Sequence, residues 1–485
     1  MTPLLRTSLV SARLAARAWA ACLGLSACSG SAEPTNIDNE TQLFVHSRAL
    51  SLLVGDTITV GATRRSGGGI VGTRAAGFEG EQLLADATLQ WRVRDSSIVS
   101  VSATGALRAQ REGSTYLVLS DGRLTDSTTV TVGGADTFRA FTAIKVGAAH
   151  ACAIDTDRAL WCWGGSWSGE LGTGERLRLA HYLTPQRMSL PESISDVAAG
   201  SQHTCALGVS GAVFCTGDNL EGQVPGTSDF KVLRFRAVAL SVRLTSIDAA
   251  GSETCGITST GAVHCWGGQV LRTGVTFAPP AGARFTVLSV GIAHRCALTD
   301  QAQLYCWGSL AGSNGTTPAL PALITTPAPI RAVNTGSGDV CAIDVAGLTY
   351  CWLPGSRRDV TVDLRVAGAP TATAVSAHGA TRCALATDGR VWCWGFDLFG
   401  ALGRGGNYQI NQSISDLTFP VPAPANTAQR FVTLDGNGDS FCGLTAAGRA
   451  YCWGNNRNGV LGDGVRRKLF AGITTAFSPV PVPVR

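Results

Sequence analysis

One unit occurs seven times in this chain and limits what it can fold into: a cysteine, nine residues, a second cysteine and, in most copies, Trp-Gly. The pairs are Cys152 and Cys162, Cys205 and Cys215, Cys255 and Cys265, Cys296 and Cys306, Cys341 and Cys351, Cys383 and Cys393, and Cys442 and Cys452. Between the members of each pair lies a turn signal, as in "ATDGR" (386–390), "GVSGA" (208–212) and "TAAGR" (445–449), so each unit reads as a β-hairpin. Directly opposed residues of an antiparallel pair lie about 4.5–5.5 Å apart at Cα, a span that a disulfide bridges. Strand side chains alternate, so the residues on either side of the second cysteine, such as Trp392 and Trp394 around Cys393, share the face opposite the sulfur. A sheet decorated on both faces must be covered on both. Seven hairpin-centred sheets standing side by side, each covering the next, meet that demand, and a ring of blades is one form of that packing.

The first residues read as an export signal and take no part in the fold. Arg6, Arg13 and Arg17 precede a short apolar run, "AWAACLGL" (18–25), and "LSAC" (25–28) ends it. The tetrapeptide resembles a bacterial lipoprotein processing box, which makes 1–27 a lipoprotein signal peptide and Cys28 the lipidated residue. An ordinary secretory signal and an uncleaved anchor are the alternatives. Ser29 follows, with no Asp to retain the protein at an inner membrane. The expected location is therefore the cell envelope, as an outer-membrane lipoprotein or a secreted, cell-surface protein. Export places the cysteines in an oxidising compartment, where pairs at fixed spacing are disulfides. The spacing also lacks the Cys-x-x-Cys of zinc sites. Each bridge would contribute roughly 2–3 kcal/mol through chain entropy. Residues 28–44 are small and polar and read as a flexible tether.

At 485 residues the chain is expected to hold more than one domain; 59 glycines with 15% charged residues suit an all-β protein rich in turns. A net charge of +5 and one short basic run, Arg466–Lys468, give nucleic-acid binding no support. Cysteines vanish between 45 and 133, where short alternating strands surround Trp91. "LLVGDTITV" (52–60), "WRVRDSSIVSVSATGALRAQREGSTYLVL" (91–119) and "TTVTV" (128–132) resemble the bacterial immunoglobulin-like group 2 domain, which implies a β-sandwich acting as spacer or adhesive module. The glycine-rich insert at 64–82 departs from that pattern and reads as a long loop. Its Gly67, Gly69 and Gly72 mimic a dinucleotide fingerprint without the βαβ context that would give it meaning.

From 137 to 485 the hairpins recur at intervals that suit four short strands per repeat. Each follows a strand ending in small residues and glycine, as in "FTVLSVGIAHRC" (285–296). Several continue with "GELGTG" (169–174), "GALGRG" (400–405) or "GVLGDG" (459–464) and then a proline-bearing strand. These motifs resemble the repeat of the regulator of chromosome condensation (RCC1) family, and the resemblance implies a seven-bladed β-propeller. The family includes an exchange factor for a small GTPase and secreted inhibitors of β-lactamase, and neither activity carries over on the repeat motif. The first and last hairpins are as apolar as the middle ones, which favours a closed ring over a capped solenoid. The C-terminal "FSPVPVPVR" (477–485) is expected to close it by completing the sheet begun at the start of the domain.

His150, His203 and His294 sit two residues before a first cysteine, where a strut between blades is a simpler role than a metal ring. Asp435, Asn437 and Asp439 open like a calcium loop, but Ser440 replaces the turn glycine and Ala446 the bidentate acid. His181 and His378 are isolated and expected to be exposed. No hydrolase, zincin or nucleotide-binding motif appears, so neither catalytic residues, nor a metal, nor a cofactor is expected. The sequence points to a monomeric, non-catalytic binding scaffold that meets an unknown protein through rigidly held loops, with glycan binding or, more remotely, hydrolase or lyase chemistry as alternatives. The candidate contact residues are Trp167 and Glu170, Asp397 and Phe399, and Asn455, Asn456 and Asn458.

Overall fold

Short alternating runs broken by glycine dictate strands, and in the computed structural model of the chain every regular element among the described residues is a strand. The structure describes residues 42–45, 49–60, 62–65, 81–83, 89–133, 139–174, 181–268, 271–292, 294–308, 320–352, 364–378, 380–397, 399–405, 418–464, 469–470, 473–474 and 477–484. The expected signal peptide, Cys28, and Gly67, Gly69 and Gly72 lie outside them.

The chain first builds a small module of three sheets. Gln42–Val45, Ala62–Arg65 and Glu81–Leu83 form one. The segment expected to be a tether through residue 44 therefore ends in a strand, and the ends of the glycine-rich insert are paired strands, not loop. Ala49–Leu53, Thr125–Gly133, Gly113–Ser120 and Gln90–Val93 form the second in that spatial order, and Thr57–Thr59, Ala106–Ala109 and Val99–Val101 the third. These two share one core around Trp91, with Leu50, Leu107, Leu117 and Val130 fully buried. Gly105, at φ 77°, lies so close to Trp91 that a Cβ there would approach the indole to 2.9 Å.

Seven blade sheets follow among the described residues, with a two-stranded pair, Leu469–Phe470 and Ile473–Thr474, before the last strand of blade 7. The strands Phe141–Val146, His150–Asp155, Leu160–Gly165 and His181–Arg187 make blade 1, and blades 2 to 4 repeat this through Ile324. Blade 5 has three strands, Ile330–Thr335, Val340–Asp344 and Thr349–Trp352, plus an isolated bridge from Tyr350 to Arg365. Blade 6 runs from Ala372 to Pro424, and blade 7 from Phe431 to Pro483. In every blade the two cysteines face each other across the second and third strands, their Cα atoms 4.0–4.2 Å apart and their sulfurs bonded.

The last strand, Phe477–Pro483, does not join blade 1 as expected. It pairs Val482 with Cys452 and completes blade 7, while blade 1 takes all four of its strands from the start of the domain. Proline explains the placement. Pro479, Pro481 and Pro483 lack an N–H, so such a strand suits an outer edge, as Pro420, Pro422 and Pro424 do in blade 6. Charge blunts the outer edge of blade 2 instead, through Lys231, Arg234 and Arg236.

The ring closes by the contact that links its other blades. The first N–H of an inner strand donates to the hairpin-turn carbonyl of the preceding blade: Phe285 to Gly261 (2.9 Å), Ala372 to Gly347 (3.0 Å), Phe431 to Gly389 (2.8 Å) and, across the seam, Phe141 to Gly448 (2.7 Å). One core joins Ile144 and Trp163 of blade 1 to Leu444, Val460 and Val482 of blade 7. A cavity of about 100 Å³ at the axis is lined by inner-strand ends of all seven blades.

Candidate functional face

Antiparallel pairing sends the third strand of a blade in the same direction as the first, so two sets of connections emerge on one face. These are the turns after the inner strands and the longer loops after the third strands. Hydrogen bonds tie the sets together, from Gly165 N to Ala149 O (2.8 Å), Asp218 N to Gln202 O (2.8 Å) and Asn455 N to Asp439 O (2.8 Å). The axial cavity opens on this face.

The loops are held from within. Asn219 accepts from Val224 N (2.8 Å), Asp397 from Leu402 N (3.0 Å) and Asn456 from Leu461 N (3.0 Å). The tryptophan after the second cysteine of the next blade grips the same loop from outside: Trp266 Nε1 donates to Gln223 O (3.2 Å), Trp453 to Ala401 O (2.8 Å) and, over the seam, Trp163 to Val460 O (2.7 Å). In blade 2 Thr216 stands in for tryptophan and bonds Gly169 O (2.9 Å). A buried loop backbone needs such acceptors and donors.

Three of the residues expected to meet a partner do this internal work. Glu170, Asp397 and Asn456 are 1%, 0% and 5% exposed. Glu170 accepts from Ser168 N at 2.7 Å, and burial pushes its carboxyl above the usual range. Their carboxyl and amide groups complete the loops. Of the others, Trp167 is 43% exposed with its indole edge-on to His181, while Phe399, Asn455 and Asn458 are half-buried. Arg457 lies 4.9 Å from the Phe399 ring centroid. Sequence reasoning missed Leu220, Phe230 and Ile292, which stand 55%, 71% and 54% exposed on this face. Lys231 Nζ bonds Trp167 O (3.2 Å) and Asn219 N bonds Phe230 O (2.8 Å), so Trp167, Leu220 and Phe230 are neighbours.

Sequence reasoning also passed over the axis. The inner-strand residue opposite each first cysteine, seven positions before it, is Lys145, Ala198, Asp248, Ser289, Asn334, Ser376 or Asp435. That fixed offset was the available signal. Asp248 accepts from Val290 N (2.8 Å), Ser289 from Thr335 N (2.9 Å), Asn334 from Ala377 N (2.7 Å) and Asp435 from Val146 N (2.7 Å), so each side chain holds the backbone of the next blade. Lys145 reaches across the axis to Asp248 at 3.0 Å and lies 4.0 Å from Asp435. The Asp248 charge, aided by Asp435 and Asp196, holds the ammonium protonated well above its usual range. Burial pushes Asp435 up to about 6 and raises Asp196.

His150 and His203 are fully buried, and each reaches the next blade through Nε2, to Thr204 Oγ1 (2.8 Å) and Thr254 Oγ1 (2.7 Å). His294 meets Asp339 O at 3.3 Å. At the same position Glu253 pairs with Arg295, and Asp339 with Arg382 (2.8 Å), again in the next blade. The histidines are thus spread around the ring as struts. Asp435 and Asn437 of the calcium-like run are also spent on blade 1: the Asn437 amide donates to Gly147 O. Among the described residues the group of acid, histidine and cysteine atoms close enough for a metal is Glu253, Cys255 and Cys265, and both sulfurs are bonded to each other. His378 lines the axial cavity and burial lowers it to about 4.

Comparison with known proteins agrees with this architecture. Models of the regulator of chromosome condensation (RCC1) repeat match residues 159–207 and 194–223. Protein RCC2 of Homo sapiens is 39% identical over 77 residues, 16% of this chain and 15% of its own length. The ultraviolet-B receptor UVR8 of Arabidopsis thaliana is 35% identical over 83 residues, 17% and 18% of the two lengths. The matches thus span less than a fifth of these relatives. Among solved structures, human WBSCR16 superposes with a TM-score of 0.57 at 18% identity, over 67% of this chain and 94% of its own. Prp20p of Saccharomyces cerevisiae, whose structure was described with its binding to Gsp1p and histones, gives 0.57 at 16%, over 68% and 87%. At such identities the likeness speaks to the fold.

Proposed function

We propose that this RCC1-like repeat protein is a non-catalytic binding scaffold, anchored at the cell envelope through a lipid on Cys28, that presents the loop face around its axial cavity to a partner protein. Disulfides and blade-to-blade hydrogen bonds make that face a rigid frame, and loops on rigid frames are where proteins place recognition. The observation that carries the reading is the presence of Trp167, Leu220, Phe230 and Ile292, large apolar side chains exposed on loops of this face. Exposed aromatic residues on a rigid surface are the usual anchors of a protein interface. The N-terminal module is read as the immunoglobulin-like group 2 domain that its sequence resembles. Guanine-nucleotide exchange is not part of this reading.

A photo-crosslinking residue at Phe230 or Trp167 on intact cells tests it. Capture of one protein band that disappears in a Leu220→Asp variant supports the proposal; no protein adduct from either site rejects it. The exposure of Trp167 also favours glycan stacking, and binding of the isolated full chain on a glycan array would replace the protein reading with that one.

A further inference from the structure

Six of the seven blade junctions are crossed by the chain and one is not. At the seam, blades 7 and 1 meet through Phe141 N to Gly448 O, Val146 N to Asp435 Oδ2, Trp163 Nε1 to Val460 O and the Asn437 amide on Gly147 O. These bonds match those of a junction the chain does cross, where Phe285 N bonds Gly261 O at 2.9 Å and Val290 N bonds Asp248 at 2.8 Å. The seam adds the 4.0 Å approach of Lys145 to Asp435 and the Asn437 amide, and among the described residues no strand is exchanged across it. The Val146–Asp435 contact alone closes a loop of 289 positions. Closing a loop of that length costs more entropy than closing a short one.

The N-terminal module supplies what the seam lacks. It runs into blade 1 through the few residues between Gly133 and Phe141, and it is docked on the far side of the seam. Val480, in the outer strand of blade 7, is 4% exposed and belongs to the module's own core beside Leu50 and Leu52. Tyr451 Oη and Gln429 Nε2 donate to the buried Asp56 carboxylate at 3.0 and 2.7 Å, and Asn426 Nδ2 to Thr59 O at 2.8 Å. We propose that the docked module is the clasp of the ring, bridging the one junction that the chain does not cross.

With the module docked, blade 7 is tied to blade 1 by a handful of residues instead of by the whole circumference. A short link raises the effective concentration of the two surfaces to the millimolar range. Undocking should therefore loosen the seam selectively and leave the chain-crossed junctions as they were.

Hydrogen exchange on the full chain tests this. Asn426→Ala/Gln429→Ala removes docking bonds without touching either core, and Val480→Asp places a carboxylate in the docked contact. The expected result is exchange at least about tenfold faster at Phe141 and Val146, with Phe285 and Val290 unchanged. Equal acceleration at both junctions would make the module a general stabiliser and overturn the proposal. Seam amides that stay protected in Val480→Asp would overturn it as well.

Discussion

The Tyr451 hydroxyl donates to the Asp56 carboxylate at 3.0 Å across 395 positions of chain. Tyr451 occupies the place before the second cysteine, where two other blades keep the polar tip within their own sheet: Trp161 bonds Asp155 (2.8 Å) and Tyr350 bonds Asp344 (3.2 Å). In blade 7 the residue at the same position binds a different module. Burial and the neighbouring Asp56 charge push the phenol above its usual range, so it stays a donor at any physiological pH.

Tyr451→Phe keeps the ring and removes the donor. Asp56 is 6% exposed, and a buried carboxylate that loses a donor is costly to leave in place. The variant should lose roughly 1.5–3 kcal/mol by urea unfolding under non-reducing conditions. In an Asp56→Ala background the same substitution should cost far less; equal losses in the two backgrounds would show that the bond contributes nothing.

At the axis, Lys145→Met removes the cation that faces Asp248 and Asp435. Its side chain keeps 32% of its surface in contact with solvent, so the loss should fall below that of a fully buried pair, about 1–3 kcal/mol. Adding Asp248→Asn should recover part of that loss, because the amide still accepts from Val290 N without needing a counter-charge. A double variant whose loss is the sum of the single ones would remove the electrostatic explanation.

Five hairpin turns carry glycine at the residue with positive φ, among them Gly261 at 84° and Gly389 at 81°; blades 1 and 4 place Arg158 (60°) and Ala302 (59°) there. A Cβ in that region costs roughly 1–2 kcal/mol, partly offset by the freedom glycine adds to the unfolded chain. Arg158→Gly and Ala302→Gly should each raise stability by about 0.5–1 kcal/mol in the same unfolding assay. The carbonyls at both sites still bond the next blade, to Ile194 N and Ile330 N, so the gain is specific to the backbone. Loss of stability in both would refute the strain.

What the sequence revealed of this fold was what repeats. Seven cysteine pairs at one spacing define seven hairpins, and the alternation around them places sulfur and indole on opposite faces. The pairings of His203 with Thr254 and of Glu253 with Arg295 also sit at a fixed offset, but they become visible only once each repeat is known to face the next. Lys145 skips a blade to reach Asp248, and Asp56 reaches Tyr451 from outside the repeats; no local period encodes either contact. Polar loop residues mislead for a different reason. Asp397 and Asn456 look like surface groups, yet loop amides pulled under the next blade must find acceptors, and these side chains are the ones in reach. The C-terminal strand misled although its prolines already argued for an outer edge.

His203 gives the acid limb of stability a sign. Its ring is wholly buried, with Nε2 on Thr254 and its edge under Gly200, where a Cβ would come within 2.3 Å of the imidazole. A charge there has no counter-ion, and burial lowers the group from 6.5 to about 4. A base depressed in the folded state contributes stability that is fully present above its unfolded value and is lost as pH falls toward the folded one, here from 6.5 to about 4. Asp435 works the other way. Raised by burial to about 6, it contributes most below 3.8 and loses that contribution as pH rises through 6. Urea unfolding between pH 4 and 7 should therefore show His203→Gln falling less steeply on acidification than the parent, by up to about 3 kcal/mol over the range. Asp435→Asn, which retains an acceptor for Val146 N, should fall more steeply than the parent. Parallel curves for all three proteins would mean that each group titrates at the same pH in the folded ring as in the unfolded chain, and burial would then shift neither.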